Sequence, residues 1–486
     1  PIWKAMAWET IIGLEVHVQL ATRSKMFCAC PNVFGAPPNT LTCPVCLGLP
    51  GVLPALNKQA VLFALKTAKA LDAQVHPCSL FARKNYFYPD LPKGYQISQY
   101  EQPLATAGKL RIETSGGTKT IGITRLHLEE DAGKLIHEAE FTRAGASYVD
   151  LNRTGVPLME IVSEPEISTP EEAMAYLRAL RELVRYLKVS DGNMEEGSLR
   201  CDANVSVRPE GSQTFGTKAE LKNMNSIRFV GKALAYEVER QVRVLESGGK
   251  IAQETLLWSE KLEKTLPMRS KEEAHDYRYF PEPDILPLTI EGEWIEALPE
   301  LPWDKRERFK QVYNLTDEES GILTEHPALA EFYEALVDAF PNPKVASNWI
   351  LVELLKSFRP KMNRLDFFPA VSPKRVARVL SMVEEGVINQ NTGKDLLARL
   401  LEEDFDPEAF VAQQGLGQIS DEKALLAWID ELFERHPNQV NEYLDGKEKV
   451  FGFFVGQLMK MSQGKANPRL LNTLLKQKFD ARKGAF

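Results

Sequence analysis

The sequence predicts an α+β protein, in which a mostly antiparallel sheet with intervening helices precedes an all-helical region. Residues 13–20 and 199–207 alternate strictly between apolar and polar side chains, which is the period of a strand with one buried face. Strand alternation ends at a cluster of five prolines between positions 281 and 302. Because such alternation is typical of antiparallel sheets, we expect one face of the sheet to cover a core and the other to stay open.

Helix signals interrupt the predicted strands. The clearest helix begins after Thr169, with Pro170 in the first helical position and Glu172 placed to complete a capping box. Apolar residues then recur at helical spacing. A second long helix is expected over about residues 226–245. Helices and strands therefore share the first 290 or so residues.

Beyond the proline cluster the sequence predicts helices alone. Helix starts occur at Ser372 and Ser420, and the stretch 404–417 contains an Asp-Pro pair and two glycines, which are typical of a break. A length of 486 residues suggests two to four domains. We predict three domains, which are residues 1–295, residues 296–405 and a small helical domain of residues 406–486.

Charge is distributed unevenly along the chain. The formal net charge is −8, which argues against a protein that coats nucleic acid through uniform basicity. The stretch 449–486 nevertheless holds eight Lys or Arg against the single acid Asp480, a net charge of +7, so the preceding residues sum to −15. A basic helical end is often only a solvated face, but this concentration fits contact with a phosphate backbone. The candidate contact residues are Lys460, Lys465, Arg469, Lys476 and Lys478.

Composition and apolar pattern predict a soluble cytoplasmic protein without a membrane partner. A hydrophobic content of 44% with 26% charged residues is ordinary for a globular chain. No apolar run approaches the about 18 residues that a membrane span needs. The N-terminal residues carry neither a secretory nor a transit pattern.

Four of the six cysteines form two close pairs, Cys28 with Cys30 and Cys43 with Cys46. Two such pairs across a short loop bring four thiolates to a tetrahedral zinc ion, so we predict a structural zinc site. The alternative is an accidental cluster of buried thiols. Cys78 and Cys201 stand alone and are expected to pack as small apolar residues.

Acidic residues and histidines recur on several predicted strands. Glu15 and His17 share one strand face, and the segments 127–131 (HLEED) and 157–160 (PLME) follow. Carboxylates on the polar face of a sheet can hold magnesium, which would clamp nucleotide phosphates. From spacing alone, each acid is more often a solvated surface residue, and histidine suits manganese or zinc at least as well as magnesium.

A basic segment followed by aromatic residues, 83–90 (RKNYFYPD), offers a second candidate site. Lysine and arginine could hold phosphate there while the rings stack on bases. On pattern alone, a strand with an aromatic core face explains the segment better. The segment 197–204 (GSLRCDAN) is equally ambiguous. Neither a phosphate-binding G-x-x-x-x-G-K-[ST] loop nor a G-x-S-x-G elbow occurs.

Ten long motifs occur in order along essentially the whole chain. They are the strings at 13–17 (GLEVH), 83–90 (RKNYFYPD), 95–98 (YQIS), 127–133 (HLEEDAG), 150–153 (DLNR), 160–165 (EIVSEP), 195–204 (EEGSLRCDAN), 218–223 (KAELKN), 276–284 (DYRYFPEPD) and 464–468 (GKANP). Taken together, these motifs resemble the B subunit of the tRNA-dependent aspartyl/glutamyl amidotransferases.

This resemblance implies a fold and a reaction. Members have an N-terminal antiparallel-sheet cradle of the glutamine-synthetase-like amidoligase type, then a helical domain and a small helical tail. They are glutamine-hydrolysing carbon–nitrogen ligases of protein biosynthesis. ATP converts the side-chain carboxylate of mischarged Glu-tRNA(Gln) or Asp-tRNA(Asn) to an acyl phosphate, and ammonia displaces the phosphate.

The resemblance implies partner chains as well. Ammonia comes from the A subunit of the complex, an amidase that acts as the glutaminase. The small C subunit helps to hold the other two together. The cognate aminoacyl-tRNA synthetase is a further candidate partner.

The resemblance also implies roles for individual residues. Magnesium would be held at His17, Glu130 and Glu160, with Glu15 serving a neighbouring ion, and zinc at the four paired cysteines. The choice of Glu130 over Glu129 rests on the register of the motif. Because Glu130 shares a face with apolar neighbours on simple alternation, a bulge or strand end must turn it toward the site. The implied catalytic residues are Lys84, Arg200, Asp202 and Lys218, of which Lys84 and Arg200 would also bind the nucleotide.

The resemblance leaves two functions to separate. The first is an ATP-dependent amidating subunit with its chemistry on the acidic face. The alternative is a non-catalytic subunit of the same complex that only recruits aminoacyl-tRNA. The two hypotheses differ in whether the acidic face is needed for phosphorylation of the aminoacyl group.

Overall fold

A computed structural model describes residues 7–136, 146–268, 276–294, 297–364, 366–419, 421–462 and 464–483. The chain divides into two compact units, residues 1–305 with 363–366, and residues 306–362 with 367–486. No helix within the described ranges is both long and apolar enough to cross a membrane. The predicted helix start at Ser420 lies outside the described residues.

The first unit combines strands with a few helices. Its elements, in chain order, are β1 (Trp8–Gln19), α1 (Pro44–Leu47), α2 (Lys58–Ala70), β2 (Gln74–Val75), β3 (Cys78–Ser79), β4 (Ala82–Asn85), β5 (Tyr95–Ser98), β6 (Ala105–Thr114), β7 (Gly117–Glu130), β8 (Lys134–Ile136), β9 (Tyr148–Asp150), β10 (Pro157–Ser163), α3 (Pro170–Tyr186), β11 (Leu199–Pro209), β12 (Ala219–Lys222), α4 (Ile227–Glu246), β13 (Thr255–Ser259), β14 (Lys264–Pro267), β15 (Phe280–Pro281) and β16 (Leu288–Thr289).

A nine-stranded sheet dominates this unit, in the order β14-β13-β12-β11-β1-β10-β7-β6-β2. All its neighbouring strands run antiparallel except β12 and β13, which are parallel. The predicted α+β class and the predominantly antiparallel sheet are therefore confirmed. A smaller sheet, β15-β4-β5, lies in the same unit.

Helices cover one face of the large sheet and leave the other open. Helices α2, α3 and α4 pack against β7, β6 and β11 respectively. Apolar side chains of the strands, such as Val16, Leu128 and Ile161, are buried in that core. The strand alternation of the sequence explains this division, because every second residue of β1 points away from the helices.

Helix α3 begins as predicted, but its cap differs in detail. The Thr169 hydroxyl accepts a hydrogen bond from the Glu172 amide at 3.1 Å. The Glu172 carboxylate accepts from the backbone of Ser168, one residue before the cap, at 2.7 Å and from Lys119 at 2.8 Å. The predicted reciprocal bond of the capping box is therefore replaced, since Glu172 is drawn to a lysine on β7. Helix α4 begins after Ser226, which caps it.

Helices follow in the rest of the chain. They are α5 (Pro302–Tyr313), α6 (Asp317–Leu323), α7 (Pro327–Ala339), α8 (Pro343–Trp349), α9 (Leu355–Phe358), α10 (Pro373–Glu384), α11 (Gln390–Leu400), α12 (Pro407–Gln414), α13 (Glu422–Arg435), α14 (Pro437–Leu444), α15 (Val450–Met461) and α16 (Pro468–Lys483), with a π-helical turn at Ile350–Leu354.

Two hydrophobic cores organise these helices. One runs from Phe309 to Val411 and the other from Leu425 to Phe479. A break was expected over 404–417, but this stretch contains α12. The Asp406 side chain caps this helix, and Val411 packs in the first of the two cores. The change of core thus falls between Val411 and Leu425. The three-domain division itself stays a prediction.

Candidate active site

The open face of the large sheet carries a row of polar side chains on its four central strands. His17 on β1 lies directly opposite Glu160 on β10 and Arg200 on β11, and Glu160 lies opposite His127 on β7. Residues paired across neighbouring strands point to the same side of a sheet. The sheet register therefore brings these four side chains together.

Two carboxylates and two imidazoles form the centre of the row. His17 Nε2 lies 3.5 Å from Glu160 Oε2 and 3.8 Å from Glu129 Oε1. His127 Nε2 lies 3.3 Å from Glu160 Oε2 and 3.7 Å from Glu129 Oε2. One ligand atom from each of His17, Glu129 and Glu160 falls within 4.8 Å of the others. This spacing suits a single divalent cation held by one nitrogen and two carboxylate oxygens.

The electrostatics of this cluster couple the imidazoles to the acids. Burial alone would lower the pKa of His17 and of His127, but Glu160 and Glu129 raise both above the ordinary value. Burial likewise opposes ionisation of the carboxylates, yet the histidines keep the pKa of Glu129 and of Glu160 below the ordinary value. The cluster is thus arranged to keep both carboxylates charged, which is the form that ligates a cation.

Glu130 lies apart from this cluster, contrary to the predicted ligand set. Its carboxylate accepts a hydrogen bond from the Ile97 amide at 3.0 Å and forms an ion pair with Lys93, whose side chain is only 6% exposed. The carboxylate beside His17 and Glu160 belongs to Glu129 instead.

Strand regularity explains the position of Glu130. The pairing of β7 with β10 is continuous at this end, and its register shift lies at Val162 and Ser163. No bulge therefore turns Glu130 over, and it shares the core-facing side of β7 with Leu126 and Leu128. The alternation visible in the sequence therefore accounts for the side that Glu130 faces, while the identity of the cation ligands stays a prediction.

Glu15 extends the polar row along β1. Its Oε1 accepts a hydrogen bond from Asn204 Nδ2 at 2.9 Å. Burial, together with the negative charges of Glu160 and Asp202, raises the pKa of Glu15. Glu15 is therefore adjacent to the cation-type cluster without being one of its three members, and its predicted service to a neighbouring ion stays a prediction.

Arg200 is held in place by a buried acid. Its Nη2 lies 2.8 Å from Asp131 Oδ2, which also accepts from Gln19 Nε2 at 2.8 Å and lies 3.6 Å from Arg153 Nε. Arg200 Nε is buried and has no hydrogen-bond partner among the described residues. The guanidinium is thus fixed on one side and keeps a donor for a bound oxygen on the other.

Asp202 is paired with Lys222, a residue that the sequence did not single out as catalytic. Lys222 Nζ contacts Asp202 and lies 3.0 Å from Glu220 Oε1. Burial would lower the pKa of Lys222, but the two acids raise it well above its usual range. Lys218, the predicted catalytic lysine, is exposed just before β12 and lines a separate cavity. In the sequence, Lys222 could have been noticed only from its position two residues after Glu220, on the polar face of the same strand.

Lys84 lies on β4 of the smaller sheet, among aromatic rings. Its Nζ is 4.8 Å from the centroid of Tyr277. Tyr277 packs edge-on against Tyr279 at 6.1 Å, and burial and the charge of Glu129 raise the pKa of Tyr279. Phe87, in the aromatic stretch after Lys84, is 83% exposed, so this stretch is not a core strand. Tyr277 and Tyr279 therefore connect the surroundings of Lys84 with those of Glu129.

Two cavities open along the polar row. The larger, about 490 Å³, lies at the Gln19 end of β1 and is lined by Arg153, Arg200, Asp202 and the segment 32–36. The second, about 310 Å³, lies beyond Glu15 at the other end of the strand. Both volumes are in the range of sites for small ligands.

The profile of the GatB/GatE catalytic domain family matches residues 10–296 of the chain, and that of the GatB domain matches residues 331–479. The chain belongs to the family of amidotransferase B subunits. It is 52% identical to the B subunit of the aspartyl/glutamyl-tRNA(Asn/Gln) amidotransferase of Thermodesulfovibrio yellowstonii, over 97% of this chain and 99% of the relative. The proteins of the same name from Moorella thermoacetica and Myxococcus xanthus are 52% and 50% identical, each over 97% of this chain and 100% and 98% of the relative.

In this member of the B-subunit family, the four paired cysteines lie close together, within the region that matches the catalytic domain. The sulfur atoms of Cys28, Cys30, Cys43 and Cys46 all lie within 4.8 Å of one another. A hydrogen bond from the Cys28 thiol lowers the pKa of Cys46 to about 4, and Lys25 Nζ adds a positive charge 3.7 Å from that sulfur. Four thiols at this spacing fit a tetrahedral metal of the zinc type.

The other cysteines play no part in this cluster. Cys78 is exposed and Cys201 is buried in the sheet core. The expected packing role therefore fits Cys201 but not Cys78, which lies on the short edge strand β3.

The basic residues near the C-terminus fall into two kinds. Lys478 is half-buried and forms an ion pair with Asp430 at 2.7 Å. Lys465 Nζ donates to the Gly415 carbonyl at 3.1 Å but remains exposed. The exposed members are Lys460, Lys465, Arg469 and Lys476. The GatB domain match includes all of these positions.

Proposed function

We propose that this chain catalyses ATP-dependent amidation of the side-chain carboxylate of Glu-tRNA(Gln), Asp-tRNA(Asn) or both. The observation that carries the proposal is the cluster of His17, Glu129 and Glu160 between two cavities, in a chain half identical to amidotransferase B subunits. Joining a carboxylate to a phosphoryl group brings two anions together, and a cation offsets their repulsion. The polar face has the ligands for that task.

The donor set of the cluster fits a divalent cation such as Mg²⁺. Two carboxylates kept ionised and one imidazole offer three ligand atoms within 4.8 Å, and Glu15 provides an acid for a neighbouring ion. Bound Mg²⁺ would neutralise phosphate charge and orient the reacting oxygens. Glu129 replaces Glu130 in this proposal, because only the former faces the cluster.

Residues around the cluster would bind and orient the substrates. Arg200, anchored by Asp131, has a free buried Nε to donate to a carboxylate or phosphate oxygen. Lys222 keeps its charge beside Asp202 and can meet a second anionic group. Lys84 would reach the phosphates past the rings of Tyr277 and Tyr279. Such fixed donors need no reorganisation when charge develops, which is the source of their catalytic effect.

The amidating nitrogen would come from another chain. The relatives are named as B subunits, which implies a multi-subunit amidotransferase. We infer that a glutaminase, the A subunit, supplies ammonia and that a small C subunit helps to hold the other two together. The glutamine-synthetase-like ancestry, the synthetase partner and the cytoplasmic location stay predictions.

The exposed basic residues of the tail would contact the tRNA backbone, and the cysteine cluster would hold zinc. A four-thiolate site has no open coordination position, so its role would be structural. The zinc site would fix the loop of residues 28–46 beside the catalytic sheet. Lys25 supports this role, because its Nζ donates to the Leu41 carbonyl at 2.7 Å and also contacts Cys46 Sγ.

The central experiment replaces Glu160 in the assembled complex. Glu160→Gln keeps the shape of the side chain but removes its charge. We expect tRNA binding and glutaminase activity to persist while ATP-dependent phosphorylation of glutamyl-tRNA stops. The matched control is Glu210→Gln, at an exposed carboxylate just beyond β11. Normal phosphorylation by Glu160→Gln would favour the alternative, a chain that recruits aminoacyl-tRNA without catalysis.

A further inference from the structure

The loop of residues 28–46, here called the cysteine loop, does more than gather four thiols. Its segment 32–36 lines the larger cavity, together with Arg200. Val33 and Phe34 in that segment are 61% and 71% exposed, so they offer apolar surface that a bound ligand can cover. The cysteine loop thus contributes both the thiol cluster and a wall of the candidate substrate cavity.

Two asparagines fasten the cysteine loop to the chain around the end of β9. Asn152 Oδ1 accepts a hydrogen bond from the Leu41 amide at 2.8 Å, and its Nδ2 donates to the Pro37 carbonyl at 2.7 Å. Asn39, in the cysteine loop itself, donates to a backbone carbonyl of β9 at 2.9 Å and accepts from the Leu151 amide at 2.8 Å. Because an amide group both donates and accepts, each side chain joins two backbone groups of the other segment. We call this pair the asparagine clamp.

A buried lysine connects the clamp to the thiols. Lys25 is fully buried, and its Nζ donates to the Leu41 carbonyl at 2.7 Å and lies 3.7 Å from Cys46 Sγ. The same Nζ lies 3.5 Å from the Leu151 carbonyl. Zinc with four thiolates has a net charge of about −2, so a buried ammonium beside it offsets part of that charge. The position of Lys25, and of the two carbonyls that it holds, is therefore expected to depend on the metal.

The segment that the clamp holds also leads to the anchor of Arg200. Arg153 follows Asn152, and its guanidinium donates to two backbone carbonyls just after β7 at 2.9 and 2.6 Å. Its Nε lies 3.6 Å from Asp131, the acid that fixes Arg200. Arg153 and Arg200 both line the larger cavity, which suits the carboxylate of an aminoacyl group. A shift of the clamp would thus move the wall of this cavity and its arginines together.

We propose that zinc at the four cysteines and the 3′ end of aminoacyl-tRNA in the larger cavity bind cooperatively, with Asn39 and Asn152 as the positioning residues that couple them. The inference rests on the proposed amidation, because that reaction brings the aminoacyl group to Arg200. A ligand that packs against the segment 32–36 stabilises the clamped loop, and so does the metal. Since both favour one arrangement of the loop, each raises the affinity for the other by the same factor.

The coupling is measured on the assembled complex with and without zinc. Removal of zinc by a chelator should weaken binding of glutamyl-tRNA about 10-fold and leave binding of a non-hydrolysable ATP analogue unchanged. Reciprocally, bound glutamyl-tRNA should raise the affinity for zinc about 10-fold, as measured by competition with a chromogenic chelator. A tRNA that lacks its 3′-terminal nucleotides, and so cannot fill the cavity, should show neither effect.

Two variants break the clamp while sparing the cysteines. Asn39→Gly removes a side chain that does not line the cavity, and glycine suits the φ of 61° at this position. Asn152→Ala removes the other side chain. Both variants should retain zinc and lose the coupling, so that zinc removal changes the Kd of glutamyl-tRNA less than about 2-fold. The matched control is Asn342→Ala, which also loses two side-chain hydrogen bonds but lies in the second unit, and which should keep the coupling.

Three results would overturn the inference. The first is equal affinity for glutamyl-tRNA with and without zinc, or a chain that takes up no zinc. The second is coupling that persists undiminished in both variants. The third is a loss of affinity for the ATP analogue as large as that for glutamyl-tRNA, because the metal would then only hold the fold. An unaltered complex that binds glutamyl-tRNA but fails to phosphorylate it would instead contradict the proposed function and leave the coupling standing.

Discussion

The open face of the catalytic sheet and the surface of the last helices both concentrate charge, but they hold it in opposite ways. On the sheet, Glu129 and His127 are buried, Glu160 and His17 are half-buried, and each is fixed by an oppositely charged neighbour. On the tail, Arg469 and Lys476 project into solvent from one helix. Buried pairs are preorganised and resist screening, whereas exposed charges are screened by salt. Catalysis needs preorganised charges such as those on the sheet, whereas reversible binding of a polyanion can use exposed charges such as those on the tail.

The largest expected effect concerns the choice between two adjacent acids. Glu129→Gln should lower the rate of ATP-dependent phosphorylation of glutamyl-tRNA by roughly 10³-fold, because several kcal/mol of transition-state stabilisation depend on a charged ligand. A single-turnover assay of the assembled complex measures this rate. A loss much smaller than 10-fold would remove Glu129 from the cation site.

Glu130→Gln tests the difference between Glu129 and Glu130 through its effect on the free energy of unfolding. This change leaves Lys93 buried without its partner, so we expect it to cost about 3–5 kcal/mol of unfolding free energy. Denaturant unfolding of the chain measures that cost. If Glu130→Gln proved neutral for stability and abolished cation-dependent phosphorylation, the assignment of Glu130 as a ligand would be restored.

The cysteine cluster predicts a metal content. The purified chain should contain about one zinc, and Cys46→Ser should lose it together with the order of the loop at residues 28–46. Elemental analysis measures the zinc. Cys78→Ser is the matched control, since that exposed thiol is remote from the cluster in sequence and should leave the zinc content unchanged.

The smallest effect is expected on the tail. Lys476→Ala should reduce the dependence of log K for tRNA on log salt by about 1, as one phosphate contact is lost. Lys478→Ala should change this slope less, because Asp430 already neutralises that lysine. Binding titrations at several salt concentrations compare the two variants. Equal slopes for both variants and the unaltered chain would remove this helix face from tRNA contact.

The sequence predicted those parts of the fold that depend on local pattern. Alternation in β1 and β11 and the cap at Thr169 predicted two strands and a helix that the structure contains. The helix α12 was missed, because its Asp-Pro start and following glycines are equally typical of a loop.

The candidate site was only partly predictable, since its pairs are remote in sequence. His17 and Glu160 could be named from their residue types, but the partner of Glu130 could not. Lys93, just before β5, reaches Glu130 through the packing of the smaller sheet against β7 and not through sequence spacing. Lys218 was expected to be catalytic because it stands in a motif of the family, and its role stays a prediction. Only the register of β11 against β12 decides which lysine faces Asp202.

The central position of β1 has a consequence for synthesis of the chain. Trp8–Gln19 is translated long before its two neighbours in the sheet, β10 and β11. Both edges of this strand therefore lack their native partners until residue 163 has been made, and one still lacks its partner until residue 209. Contacts of such long sequence separation are slow to close. The row of polar side chains is thus assembled late, after most of the catalytic unit has been translated.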